Sequence, residues 1–417
     1  MTMHDRIREI RTGFSPTFWI ANTLELFERL AFYGSKAILA VFIAEKVGLS
    51  EEAGTLAGIF TGVIYFLPPV AGVFVDKYGF RKTLMACFFI FAIGYFLIGL
   101  AGMEMGQAIA ETMGKKNYLL FALIFTAIGG SLIKPCIVGT VANTSKPDFK
   151  ALGFSIYYTL VNFGGAVGPI VALSIRKELG IEFVLVMSAI TSALMLFGTF
   201  LFFKEPIPTE EVEQRTFKKV FSEMLLVFGN LRFMLFLIIF SGFWLMFWHI
   251  FYLVPFYGTE VLGFENFELL ETVDAICIIF FTIPIATIAR RMKPITAMTM
   301  GFLISSLSWI IMGTSLTVTA TVVAIAVYAI GEAMQSPRYY EYVSNLAPKG
   351  QVGTFMGFSF LPVAIGAFAA GPVADWLRNN YMMTEPGKMW FIVAGIGLVA
   401  TLLMVLYNQF IAPKSIE

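Results

Sequence analysis

The sequence predicts an all-α membrane protein of twelve transmembrane helices in two six-helix bundles, with the N- and C-termini cytoplasmic. Three observations lead there: an apolar, charge-poor composition, about twelve apolar runs of spanning length, and a similarity between the two halves of the chain. Of 417 residues, 58% are hydrophobic and 14% charged, against roughly 45–50% and ~25% in soluble domains. Mean hydropathy is +0.79. Crossing ~30 Å of hydrocarbon takes ~20 mostly apolar residues in a helix, which pairs its own backbone groups where lipid cannot.

In chain order the runs are 15–44, 52–75, 83–102, 117–142, 151–175, 182–203, 233–257, 267–289, 294–313, 318–343, 351–377 and 388–411, here called spans 1 to 12. The opening "MTMHDRIREIRTG" is charged, amphipathic and continuous with span 1, so no cleavable signal peptide is expected. With both ends inside, the inner loops collect Arg6, Arg8, Arg11, Lys77, Arg81 and Lys82, while acids such as Glu45, Glu260, Glu265, Glu268 and Glu271 fall outside. That asymmetry sets the orientation and points to a multi-pass protein of the cell membrane.

Net charge is +1, which gives no reason to expect a nucleic-acid partner. Cys87, Cys136 and Cys277 lie in apolar spans at spacings that match no metal or redox motif. No nucleophile–base pair stands out, so the chain reads as a non-enzyme without a cofactor. No extramembrane segment is large enough to signal, which argues against a receptor.

The repeat is the strongest internal signal. "AIGGSLIKP" (127–135) and "AIGEAMQSP" (329–337) share an Ala-Ile-Gly start and a proline eight residues on. "GFSIYYTLVNFGGAVGPIVA" (153–172) is similar to "GFSFLPVAIGAFAAGPVA" (357–374). Two segments offset by about half the chain imply parallel repeats, residues 1–203 and 233–417, joined by a polar cytoplasmic linker over 204–232. This plan resembles that of the major facilitator superfamily. So does "GVFVDKYGFRKT" (72–83) at the inner end of span 2. There Gly72 is expected to allow close packing, Gly79 a tight turn, and Asp76 and Arg81 to act as gate residues.

Span 1 contains "ELFERLAFYGSK" (25–36), four charges in an otherwise apolar helix. Glu25, Arg29, Tyr33 and Lys36 follow at intervals of 4, 4 and 3, so they stack on one face, with Glu28 and Phe32 beside them. Facing lipid, four charges would cost ~10–14 kcal/mol at ~2.5–3.5 kcal/mol each. Glu25 or Glu28 can pair with Arg29; Lys36 has no acid one turn away. The stripe is therefore expected to line a polar cavity. Lys134, Asn162, His249, Asp274 and Glu332 lie inside other spans and should converge there, giving a basic wall in the first half and an acidic wall in the second. Each has an alternative as a neutralised or packed residue. Trp248 and neighbouring aromatics offer packing or ligand contact. Arg338 and Glu341 can pair at the inner end of span 10 as gate residues.

These motifs together resemble the proton-coupled oligopeptide transporters. Span 1 matches the family's ExxER motif and following aromatic pair at Glu25, Glu28, Arg29, Phe32 and Tyr33, with a basic residue at Lys36. Span 4 supplies the family's lysine and proline as Lys134 and Pro135, span 5 its asparagine as Asn162, and span 10 its Gly-Glu and Ser-Pro as Gly331, Glu332, Ser336 and Pro337. Span 7 departs, with Trp248 and His249 where the family has a glutamate, and span 8 has Asp274 where an asparagine is usual.

The resemblance implies a monomeric symporter that uses the proton gradient to move di- or tripeptides or similar zwitterions. Tyr33, Lys36, Lys134, Asn162, Trp248 and Glu332 would contact solute, and Glu25, Glu28 and Arg29 would couple protons. Where the chain departs from the family, His249, or His249 with Asp274, is expected to supply the titrating group of the second half, since histidine changes charge near neutral pH. An exporter of amphipathic or cationic compounds by proton exchange is the alternative. Two fixed positive charges, Lys36 and Lys134, argue against it. A symporter of amino acids or organic anions is a further one.

Overall fold

The computed structural model describes residues 13–206, 216–348 and 351–412, which are helical almost throughout. Among them, ten helices are long and apolar enough to cross a bilayer, and a bent pair makes up to eleven. This is the coarser form of the twelve expected. The shortfall is α1 (Pro16–Val41), whose 26 residues suffice in length but include Glu25, Glu28, Arg29 and Lys36.

The bent pair is span 2, expected as one helix. It divides into α2 (Ala53–Phe66) and α3 (Pro68–Tyr78), and the two axes differ by 48°. Pro68 and Pro69 have no N–H to continue the ladder of α2, and a proline ring clashes with the preceding turn, so the pair starts a new helix instead. Gly79, at φ +82°, then turns the chain. Gly72 does not mediate the expected close packing, since an added Cβ there would meet nothing within 4 Å.

The remaining helices are α4 (Phe80–Leu100), α5 (Glu104–Met113), α6 (Lys115–Thr144), α7 (Lys150–Glu178), α8 (Ile181–Phe202), α9 (Phe217–Gly229), α10 (Leu231–Tyr252), α11 (Glu268–Ala289), α12 (Pro294–Thr314), α13 (Val318–Leu346), α14 (Leu361–Leu377) and α15 (Pro386–Phe410). Arg6, Arg8 and Arg11, and linker residues 207–215, lie outside the described residues.

Both halves use one pairing scheme. In the first, α1 packs on α7 and α8, α4 on α6 and α8, and α2 on α6. In the second, α10 packs on α14 and α15, α12 on α13 and α15, and α11 on α13. The halves meet along two seams, α2 with α14 and α7 with α11.

Missing side chains make these approaches possible, as lipid supplies no hydrophobic drive and helices associate by close packing. A Cβ on Gly164 of α7 would lie 2.4 Å from Cβ of Arg29, and one on Gly366 of α14 would lie 2.5 Å from Cβ of Trp244. Those two glycines bring α7 onto α1 and α14 onto α10. At the α2–α14 seam a Cβ on Gly58 would sit 2.6 Å from the Ala367 carbonyl, and one on Gly371 2.5 Å from that of Gly54.

Candidate functional site

Between the halves lies a cavity of about 120 Å³. It is smaller than the ~300–1,000 Å³ of typical ligand pockets, so the halves stand close around it. Its polar wall comes from both halves: Tyr33 and Lys36 of α1 and Asn162 of α7 from one, Glu271 and Asp274 of α11 and Glu332 of α13 from the other. A larger groove, about 400 Å³, runs between α10 and α15 along Leu235, Ile239, Val399 and Leu403. Its lining is almost wholly apolar, and it carries none of the chemistry of the first.

Lys36 is 4% exposed, and among the described residues its ammonium makes no ion pair or hydrogen bond. Aromatic rings surround it instead. Its Nζ lies 3.5 Å from the ring centroid of Phe251, 4.0 Å from Trp248, 5.5 Å from Tyr33 and 5.6 Å from Phe247. Ring faces carry negative charge density, and a desolvated contact is worth ~2 kcal/mol, so the rings hold the cation in place of a carboxylate. Trp248 is fixed in turn by its indole N–H, which donates to the Val363 carbonyl at 3.1 Å.

The facing wall is acidic. Glu271 and Asp274 are three residues apart on α11, hence on one face, and Ala275 and Ile278 continue that face into the cavity. Glu332 joins them from α13. Both oxygens of Glu271, Oδ1 of Asp274 and Oε2 of Glu332 are buried and accept no hydrogen bond among the described residues. Asn162 spends its amide N–H on the Tyr158 carbonyl, 2.8 Å away, and leaves its oxygen available.

The other half of the charged stripe does not line this cavity. Glu25, Glu28 and Arg29 are at most 3% exposed and seal each other: Arg29 Nε pairs with Glu28 and stands 3.4 Å from Glu25. Lys134, expected on the basic wall, does not line it either. It donates to the Tyr157 hydroxyl at 3.1 Å, within electrostatic reach of Glu25, Glu28 and Arg29. Two acids and two bases thus lie together beside the cavity, equal in number and opposite in sign when ionised. The Arg29 guanidinium lies 5.9 Å from the Tyr33 ring centroid, so Tyr33 separates cluster from cavity.

His249 is fully buried, with Nδ1 2.7 Å from the Leu245 carbonyl, and is not part of the cavity wall. The helical register explains this: Trp248 faces α1, and the next residue turns ~100° away. Asp76 is half-buried near the end of α3. Arg81 donates to the Phe200 carbonyl, and the backbone N–H groups of Phe80 and Arg81 go to Glu205, at the start of the linker, at 2.6 and 2.8 Å. Arg338 pairs with Glu341 and donates to the Met292 carbonyl at 2.5 Å.

Sequence reasoning missed Glu271, which was assigned to an outer loop. It lies in the first turn of α11 and is 3% exposed. Its spacing of three from Asp274 was the available signal. One turn earlier, Glu268 is fully buried against Arg176 of α7, whose Nη2 reaches Glu268 Oε2 at 3.0 Å and the Glu265 carbonyl at 2.7 Å. This cross-half ion pair closes the cavity at that end.

Comparison with known proteins agrees with the helix pairing. The model of the Major Facilitator Superfamily matches residues 24–371. Dipeptide and tripeptide permease B of Xenorhabdus bovienii (strain SS-2004) is 30% identical over 163 residues, covering 37% of this chain and 31% of the permease. Dipeptide and tripeptide permease A of Enterobacter sp. (strain 638) is 31% identical over 150 residues, 35% of this chain and 28% of that protein. The chain thus matches about a third of the length of these relatives. Among solved structures, an auto-inhibited POT family peptide transporter superposes with a TM-score of 0.79 at 16% identity, covering 96% of this chain and 98% of the other. A POT family transporter in complex with 5-aminolevulinic acid gives 0.78 at 17% identity, covering 95% and 96%.

Proposed function

Because the chain belongs to the Major Facilitator Superfamily, a superfamily of transporters rather than enzymes, we propose that it is a proton-coupled symporter of di- and tripeptides or similar small zwitterions. One observation carries this reading: a single cavity sets the Lys36 ammonium of one half against Glu271, Asp274 and Glu332 of the other. A zwitterion placed there bridges the halves, its carboxylate on Lys36 and its amine on Glu332. It therefore binds most tightly when they are closed around it, which is the differential affinity that alternating access requires. Tyr33, Asn162 and Trp248 supply its remaining contacts. The names of the matched permeases and the peptide-type ligands of the fold neighbours support the solute class.

In this reading α1 and the α2–α3 pair are both spans, giving twelve in two bundles over 1–203 and 233–417, with 204–232 as linker and both termini cytoplasmic. The Arg176–Glu268 end then faces outward. Asp76, Arg81, Arg338 and Glu341 stand at the inner end as gate residues, in a monomer of the cell membrane driven by the proton gradient alone. Protons act at the buried Glu25–Glu28–Arg29 group, where protonating a glutamate frees Arg29, and at Asp274. Lys134 balances that group and donates to the Tyr157 hydroxyl. His249, set back from the cavity, takes no part.

The test is uptake into proteoliposomes under an imposed pH gradient, with di- and tripeptides, amino acids and organic anions compared and Lys36→Ala as control. Gradient-driven peptide uptake that Lys36→Ala abolishes is expected. Movement of another solute class with no peptide uptake overturns the peptide reading.

A further inference from the structure

We infer that the cavity is built for a solute of net positive charge: a zwitterion bearing a second ammonium or guanidinium, such as a dipeptide containing lysine or arginine. This rests on the peptide reading above and narrows it.

The first ground is the charge count. Three acids, Glu271, Asp274 and Glu332, line the cavity with one lysine, which leaves a surplus of negative charge with Glu271 and Glu332 ionised even when Asp274 carries a proton. Neighbouring charges cannot make up the difference, because they are matched among themselves: Arg29 and Lys134 with Glu25 and Glu28, and Arg176 with Glu268. A simple zwitterion brings one cation and one anion and leaves the surplus unchanged. A dibasic one reduces it.

The second ground is hydrogen bonding. Glu271 is 3% exposed, yet among the described residues both its oxygens lack a donor, as do Oδ1 of Asp274 and Oε2 of Glu332. Buried acceptors of this kind require donors from outside the wall, and an ammonium brings three and a guanidinium five. An extended organic cation can meet acceptors carried by both α11 and α13.

The third ground is aromatic. Lys36 already shows that Trp248, Phe247 and Phe251 hold a desolvated ammonium. When Lys36 turns to a solute carboxylate, those faces are released to a second cation. The sequence-based objection to cationic solutes relied on two lysines in one cavity. Only Lys36 is there.

The experiment compares Ala-Ala, Ala-Lys and Ala-Glu as competitors of peptide uptake by the full chain in proteoliposomes, for the wild type, Asp274→Asn and Glu271→Gln. Ligand-free melting checks that each variant is folded. The expected result is Ala-Lys at least about tenfold tighter than Ala-Ala, Ala-Glu weakest, and a ratio of Ala-Lys to Ala-Ala that falls toward one in at least one variant. Equal competition by Ala-Ala and Ala-Lys in the wild type, or a ratio unchanged in both folded variants, overturns the inference and leaves the peptide reading standing. If none of the three peptides competes or is taken up, the peptide reading itself falls.

Discussion

Asp375 Oδ1 accepts the backbone N–H of Gly54 at 2.7 Å, so a carboxylate at the end of α14 caps α2 in the opposite half. Its Oδ2 takes the N–H of Thr55 at 2.7 Å and the Thr55 hydroxyl at 2.6 Å. The first N–H groups of a helix have no partner within it and attract an anion, and here the partner crosses the seam. Arg378, one turn on, donates to the Ser50 carbonyl at 3.2 Å and to Glu260 at 2.5 Å. Together with Arg176 and Glu268 these contacts close one end of the cavity.

Asp375→Ala should loosen that end. Losing a helix cap costs ~0.5–2 kcal/mol, which favours the open arrangement by roughly two- to thirtyfold. A cysteine placed at Ser50 should react faster with a membrane-impermeant maleimide in Asp375→Ala than in its absence, with Asp375→Asn intermediate. Equal rates would show that the cap does not hold the seam.

Gly371→Val should prevent the seam from closing, since a Cβ there meets the Gly54 carbonyl at 2.5 Å. Overpacking of this kind costs ~1–3 kcal/mol. Uptake should fall while a Gly395→Ala control, at a site with open space around it, stays at wild-type level.

Lys36→Met keeps an unbranched side chain one atom shorter and removes the only cation of the cavity wall among the described residues. Peptide uptake should be lost, and the melting temperature should drop more at about pH 8 than at about pH 5. The sign follows from charge: an ionised carboxylate without a counter-ion is penalised by burial and a protonated one is not, so the loss grows as pH rises. A pH-independent change in melting would show that Lys36 does not balance these acids.

Arg29→Leu should be the most damaging of the single changes in α1. It strands Glu25 and Glu28 at 0% and 1% exposure, and breaking a buried pair from one side costs ~3–5 kcal/mol. Glu28→Gln should be milder, retaining solute exchange across liposomes without a gradient but losing accumulation driven by one. Retained accumulation in Glu28→Gln would remove this residue from coupling.

Much was legible in the sequence because it depends on neighbours along the chain. The stacking of Glu25, Arg29, Tyr33 and Lys36 follows from helical periodicity alone, and the similarity of 153–172 to 357–374 foretold that α7 on α1 and α14 on α10 would be equivalent pairs. Less legible was anything set by rotation about a helix axis or by a neighbouring helix. Lys134 and His249 were both polar residues in apolar spans, but one turned to Tyr157 and the other to its own helix. Glu271, at the edge of a span, looked like a loop acid until the start of α11 carried it inside.

The sequence by itself determined an apolar helical chain with two related halves and charges too costly to leave in lipid, since composition and periodicity are properties of the chain alone. Only tertiary structure decided which charges share a space. It set Glu25, Glu28, Arg29 and Lys134 in one balanced cluster and Lys36 among rings and three acids in another, because contacts as short as Gly164 against Arg29 and Gly58 against Ala367 fix how each helix is turned toward its neighbours.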